Sequence, residues 1–186
     1  MSSPKLFVVS GPSGCGKTTI AGEILRRHPD MKFSVSATTR PKRQGEVNGK
    51  DYLFITKKEF EEKIKRGELI EWENIYGEYY GTLKSEVDRA EKSGHPILFD
   101  VDVNGALSIK SRYSDQAVII FIKPPSIEAL LDRLRNRRTE TPSELARRSE
   151  RFKMELERSK DFDYCVVNHI LETAITDVDN IIRKNL

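Results

Sequence analysis

The chain has 186 residues, 32 basic against 29 acidic, a net charge of +3 and 37% hydrophobic residues, which suffices for one α/β domain with a full core and not for two large independent ones. Two cysteines exclude a disulfide framework and a cysteine-based metal site, and the longest apolar run, Ala117 to Ile122, is far short of the ~18 to 20 residues of a membrane span. Acidic and basic residues are interleaved, which argues against nucleic acid as the partner, and the N-terminus lacks a basic segment followed by a hydrophobic one, which points to the cytoplasm.

Leu6 to Ser10 reads as a buried strand. It runs into Gly11-Pro12-Ser13-Gly14-Cys15-Gly16-Lys17-Thr18, and a helical pattern follows from Thr18 to Arg27. The spacing G-x-x-x-x-G-K-[ST] is that of a phosphate-binding loop, with glycines where N–H groups must turn inward around a phosphate. The helix adds its positive dipole end at the same point. Gly11 through Thr19 are therefore the candidate ATP-binding segment: Lys17 serves the β- and γ-phosphates, and the Thr18 hydroxyl serves Mg²⁺. Cys15 is either a small filler in this loop or, at a helix N-terminus, a thiolate open to electrophiles.

Further buried strands are expected at Phe33 to Ser36, Ile97 to Val101, Val118 to Ile122 and Tyr164 to Val167. Helical periodicities lie at Leu83 to Lys92, Ile127 to Arg137 and Ala174 to Arg183. This alternation predicts a parallel sheet flanked by helices, with ligands at the carboxyl ends of the strands. Asp100 ends one of them, where phosphate-loop proteins keep a carboxylate for Mg²⁺, usually through water.

From Ser36 to about Tyr80 the alternation breaks. Short strands at Tyr52 to Ile55 and Leu69 to Glu73, a helix at Lys57 to Arg66 stopped by Gly67, and turns at Gly45 and Asn48-Gly49 describe a small inserted lobe. Within it, Arg40, Arg43, several hydroxyls and Tyr52 suit a phosphate monoester, because the planar guanidinium fork bonds two oxygens at once. A second interruption, Arg137 to Glu144, suits a mobile flap before another helix. The basic excess at Arg133, Arg135, Arg137, Arg138, Arg147, Arg148 and Arg151 fits a phosphate-rich small substrate.

Ser36 to Tyr52, Ile70-Glu71-Trp72 and Tyr79-Tyr80-Gly81-Thr82 together resemble guanylate kinase. The likeness continues through Leu98 to Asp102, Arg137 to Thr141 and Val167-Asn168, and so covers nearly the whole chain. Departures are Pro41 directly after Arg40, Asn104 where many relatives carry glutamine, and Arg138 where a glycine is common. The resemblance implies a P-loop NTPase-like α/β fold in one domain. Its core is 1–35 and 83–186 with a lid at about 137–147, and its nucleoside-monophosphate-binding lobe is about 36–82. It implies Mg²⁺-dependent phosphoryl transfer from ATP to GMP, or to dGMP. In such proteins the residues matching Ser36, Arg40, Arg43, Tyr52, Glu71, Tyr80, Gly81, Thr82 and Asp102 form the GMP site. Arg137 and Arg148 close over the transferring phosphoryl group with Lys17 and Arg40, while Arg133 and Asn168 lie near the adenine.

Glu71 would accept hydrogen bonds from the guanine ring N–H and amine. Adenine has no donor at those positions, and an unpaired buried carboxylate costs ~2 to 4 kcal/mol. A phosphate oxygen attacks already mostly ionised, with a second pKa of ~6, so no base is needed and His28, His95 and His169 lie outside the motifs. Two other readings are another acceptor on the same fold, or a peptide-binding scaffold domain. An alcohol acceptor needs a base that the pattern does not supply, and the scaffold domains have degraded phosphate loops, whereas this one is complete. Neither helix faces nor charge pattern marks a dimer interface.

Overall fold

Leu6, Phe7, Val8 and Val9 are all fully buried, which requires a strand covered on both faces. A computed structural model describes residues 5–130 and 142–186, with the backbone alone over 142–149, and shows how that cover is built. Strand β1 (Leu6–Ser10) is the middle strand of a five-stranded parallel sheet of order β2-β7-β1-β8-β9. The other strands are β2 (Lys32–Phe33), β7 (Ile97–Asp100), β8 (Ala117–Lys123) and β9 (Tyr164–Val167), and β1 pairs directly with β7 and β8.

Alternation along the strands divides the core. Phe7 and Val9 join Leu98, Ile120 and Ile122 against helices α1 (Lys17–Arg27) and α6 (Leu171–Asn185). Leu6 and Val8 join Ile97, Phe99 and Ile119 against α3 (Lys84–Ser93) and α4 (Val103–Tyr113). Helix α5 (Pro142–Arg158) precedes β9.

A second, four-stranded sheet of order β4-β3-β6-β5 comprises β3 (Ala37–Thr38), β4 (Leu53–Phe54), β5 (Leu69–Ile75) and β6 (Glu78–Leu83). Helix α2 (Lys57–Lys65) starts with a capping box between Thr56 and Glu59 and inserts Phe60 beside Ala37 and Leu69. The turns expected at Gly45 and Gly49 are present, with φ of 88° and 77°.

One sequence expectation is corrected, and two elements are added to those expected. The single strand expected at Phe33 to Ser36 divides: Lys32–Phe33 belongs to the parallel sheet and Ala37–Thr38 to the second one. Helix α4 and strand β6 had not been expected. The helix expected from Ile127 begins there, and its continuation to Arg137 lies outside the described residues.

Candidate active site

Helix α1 begins without a side-chain cap or an acidic residue in its first turn, so its leading N–H groups are left for an anion. The loop before it depends on two glycines. Gly11 and Gly16 have φ of 140° and 98°, and a Cβ on them would fall 2.3 Å from the Ile122 carbonyl oxygen and 2.4 Å from Asn168 Nδ2. Lys17 Nζ donates to the Gly11 and Pro12 carbonyls at 2.7 and 3.2 Å. Burial works against its charge, but the Asp100 and Glu155 carboxylates outweigh it and hold the lysine above its ordinary pKa.

Cys15 itself is fully buried, and burial pushes its thiol up against the pull of Lys17. Its full burial favours the small-filler reading over a thiolate open to electrophiles. Asn168, also buried, donates Nδ2 to the Cys15 carbonyl at 2.8 Å and braces the loop from behind.

Strand β7 carries Asp100 to the same place. Burial raises its pKa against Lys17 and Thr18, whose hydroxyl donates to Oδ2 at 3.2 Å. A hydroxyl and a partly buried carboxylate side by side offer the oxygen donors that a hard divalent cation takes.

The second sheet faces this loop across a cleft of about 660 Å³ lined by Gly11 to Gly14 and Gly16 to Thr19 on one side and by Ser36, Arg40, Arg43, Tyr52, Glu71, Tyr80 and Gly81 on the other, with Asp100 and Asp102 between them. Arg40 sits 5.3 Å from the Tyr52 ring centre and gives both Nη atoms to Glu46 at 3.0 and 2.8 Å. That bidentate bond is the largest of the influences raising its pKa, and Tyr80 adds to it. Tyr52 is raised chiefly by burial, with Asp100 and Tyr80 adding to it and Arg40 and Lys17 opposing.

Glu71 and Thr82 are register partners of antiparallel β5 and β6. Thr82 is fully buried behind the cleft wall, and its hydroxyl donates to Glu71 Oε1 at 2.5 Å. Burial still leaves Glu71 raised. Helix α4 approaches so closely that a Cβ on Gly105 would lie 2.9 Å from Glu71 Oε2. Asp102 caps that helix by accepting from Gly105 N at 2.7 Å. Burial and the neighbouring Glu73 push Asp102 up to about 8. Glu73 is lowered: burial opposes its charge, but the bond with Asp102 and the Arg151 guanidinium prevail.

Arg133 and Arg137 lie outside the described residues, as does the Arg148 side chain. Sequence reasoning missed Glu46, Glu73 and Glu155, and it grouped Arg151 with arginines for a phosphate-rich substrate, whereas its guanidinium pairs with Glu73, Asp102 and Glu155. Glu73 was within reach, since it shares a strand face with Glu71 two residues away.

The family description for guanylate kinase matches residues 3–185 of the chain. The chain belongs to the guanylate kinase family. A guanylate kinase of Thermotoga maritima is 47% identical over 180 residues, covering 97% of this chain and 86% of the relative. One from Salinibacter ruber is 45% identical over 188 residues, covering 100% and 99%. The crystal structure of guanylate kinase from Anaplasma phagocytophilum superimposes with a TM-score of 0.80 at 30% identity, over 99% of this chain and 87% of that one. Family membership agrees with the mostly parallel, helix-flanked sheet and the loop of the P-loop class.

Proposed function

We propose that this cleft carries out the guanylate kinase reaction, ATP plus GMP giving ADP plus GDP, with the donor on the glycine loop and the acceptor on the facing sheet. The reaction follows from the family. The observation that supports these residue roles is the convergence, in one cleft, of a complete phosphate loop with Arg40, Tyr52, Tyr80 and Glu71.

Lys17 exchanges its bonds to Gly11 and Pro12 for the β- and γ-phosphate oxygens, and the loop N–H groups from Gly11 to Thr19 enclose the phosphates. Arg40 and Arg43, with Tyr52 and Tyr80, hold the GMP phosphate in line with the donor. Glu71 accepts from the guanine N–H groups, backed by Thr82, with Ser36, Gly81 and Asp102 beside it. Thr18 and Asp100 would hold Mg²⁺, which supplies charge neutralisation on the reacting phosphates. Arg137 and Arg148 complete the charge screening from the lid at 137–147, and Arg133 and Asn168 serve the adenine side. The lobe at 36–82 and that lid move against a core of 1–35 and 83–186 and shut out water when both nucleotides are present. dGMP fits the same set, since no assigned contact requires the 2′-hydroxyl. Among the described residues no helix is long and apolar enough to cross a membrane, and we place the protein in the cytoplasm.

Titration of GMP and AMP tests the division of labour. Arg40→Met should weaken both nucleotides alike, whereas Glu71→Gln should weaken GMP alone. Equal losses of GMP and AMP in Glu71→Gln would remove the carboxylate from base reading.

A further inference from the structure

Arg151 belongs to none of the motifs that carry the family likeness, yet it lines the cleft at the base end. Its Nε donates to Glu155 Oε1 at 2.8 Å, one turn further along α5. Its Nη2 donates to Glu73 Oε2 at 3.0 Å and reaches Asp102 Oδ2 at 3.4 Å. Asn104 Nδ2 adds a bond to Glu73 Oε1 at 3.2 Å. One half-buried guanidinium thus joins β5, the turn after β7 and α5.

The charges show why that matters. Glu71 and Glu73 lie two residues apart on β5; Glu71 and Asp102 line the cleft, and Glu73 is hydrogen-bonded to Asp102 beside it, so three carboxylates gather at one side of the base site. Among the described residues, Arg151 is the only cation in ion-pair contact with Glu73 or Asp102. Without it the Glu73 charge is left to its bonds with Asp102 and Asn104 in a poorly solvated place, and a shift of Glu73 together with Asp102 relieves that cost. Because Asp102 also caps α4 and Gly105 of that helix packs on Glu71, displacement of Asp102 carries over to the base-reading carboxylate.

We infer that Arg151 is a positioning residue for guanine recognition: it balances the Glu73–Asp102 pair and fixes β5 to α5, so that Glu71 and Asp102 present a set array to the base. This rests on the reading of the cleft as the GMP site. A planar fork is needed, because one group must reach carboxylates in two directions. A lysine should serve only in part.

The experiment measures KM for GMP and for ATP, and kcat, in wild type, Arg151→Met, Arg151→Lys and Arg151→Met combined with Glu73→Gln. The expected result is a GMP KM raised about tenfold or more in Arg151→Met, with ATP KM within about twofold, an intermediate value for Arg151→Lys, and partial recovery when Glu73 is also neutralised. A GMP KM unchanged in Arg151→Met overturns the inference, as does an equal rise in both KM values, which would mark general loosening of the fold. Glu71→Gln in the same series separates the two readings. If it raises GMP KM and Arg151→Met does not, only the Arg151 role fails; if Glu71→Gln also leaves GMP KM unchanged, the base site itself has been misplaced.

Discussion

The Thr82 hydroxyl donates to Glu71 Oε1 at 2.5 Å from the neighbouring strand, and this bond leaves the Glu71 carboxylate fixed but short of full compensation. Burial raises its pKa despite the Thr82 bonds. The unfolded chain therefore releases this proton at a lower pH than the folded one. Below the unfolded value, ~4.3, both states are protonated and burial costs nothing; as pH rises through the folded value the cost develops fully. Glu71→Gln should thus melt higher than wild type at neutral pH without ligand, by a few degrees at ~2 to 4 °C per kcal/mol, with the gain fading in acid. Melting curves of both proteins between acid and neutral pH check this. A constant offset at every pH would contradict it.

Gly105→Ala separates binding from folding. Alanine favours a helix by ~1 kcal/mol over glycine, but the new Cβ would lie 2.9 Å from Glu71 Oε2 and 3.2 Å from Asp102 Oδ1. The expected outcome is a melting temperature near that of wild type with GMP KM raised about tenfold and ATP KM unchanged. Unchanged GMP KM would show that the carboxylate can move aside without loss.

Glu46 holds both Nη atoms of Arg40 and accepts the Arg43 N–H at 2.7 Å. Glu46→Gln replaces one accepting oxygen by a donor facing a cation. It should raise GMP KM roughly five- to tenfold, with ATP KM unaffected, because the misaligned fork meets only the acceptor phosphate. If GMP instead binds more tightly, Glu46 competes with the phosphate and does not orient its receptor.

Lys17→Met removes the charge that the loop holds beside Asp100. Turnover should fall by about 10²- to 10³-fold with little change in the melting temperature, since among the described residues the ammonium's hydrogen bonds go to the loop carbonyls of Gly11 and Pro12. Near-normal turnover would refute its role at the phosphates.

The phosphate loop was legible because its chemistry is local: glycines, a lysine and a hydroxyl at fixed spacing between a strand and a helix. Strand β1 was legible for the same reason. Helix α4 was not, since Val103, Ala106 and Ile109 share its sequence with Gly105 and its cap, Asp102, had a second reading at the base site. The β5–β6 hairpin turns at Tyr76 and Gly77, with φ of 54° and 89°, and tyrosine gives no turn signal of the Asn-Gly kind. Strands β2 and β3 merged in the sequence because Phe33 to Ser36 alternates as one strand would, and only pairing partners decide which sheet each end joins. Arg151 meets Glu73 and Asp102 from 78 and 49 positions away, a relation that no local pattern contains.

The central claim is that one cleft joins ATP to GMP and reads guanine through Glu71. The most direct measurement is ADP formation from MgATP with GMP, AMP, CMP and UMP in parallel, in wild type and Glu71→Gln. Rapid turnover with GMP alone, strongly reduced in Glu71→Gln, is the predicted result. Comparable turnover with another acceptor, or a Glu71→Gln enzyme as active on GMP as wild type, would contradict it.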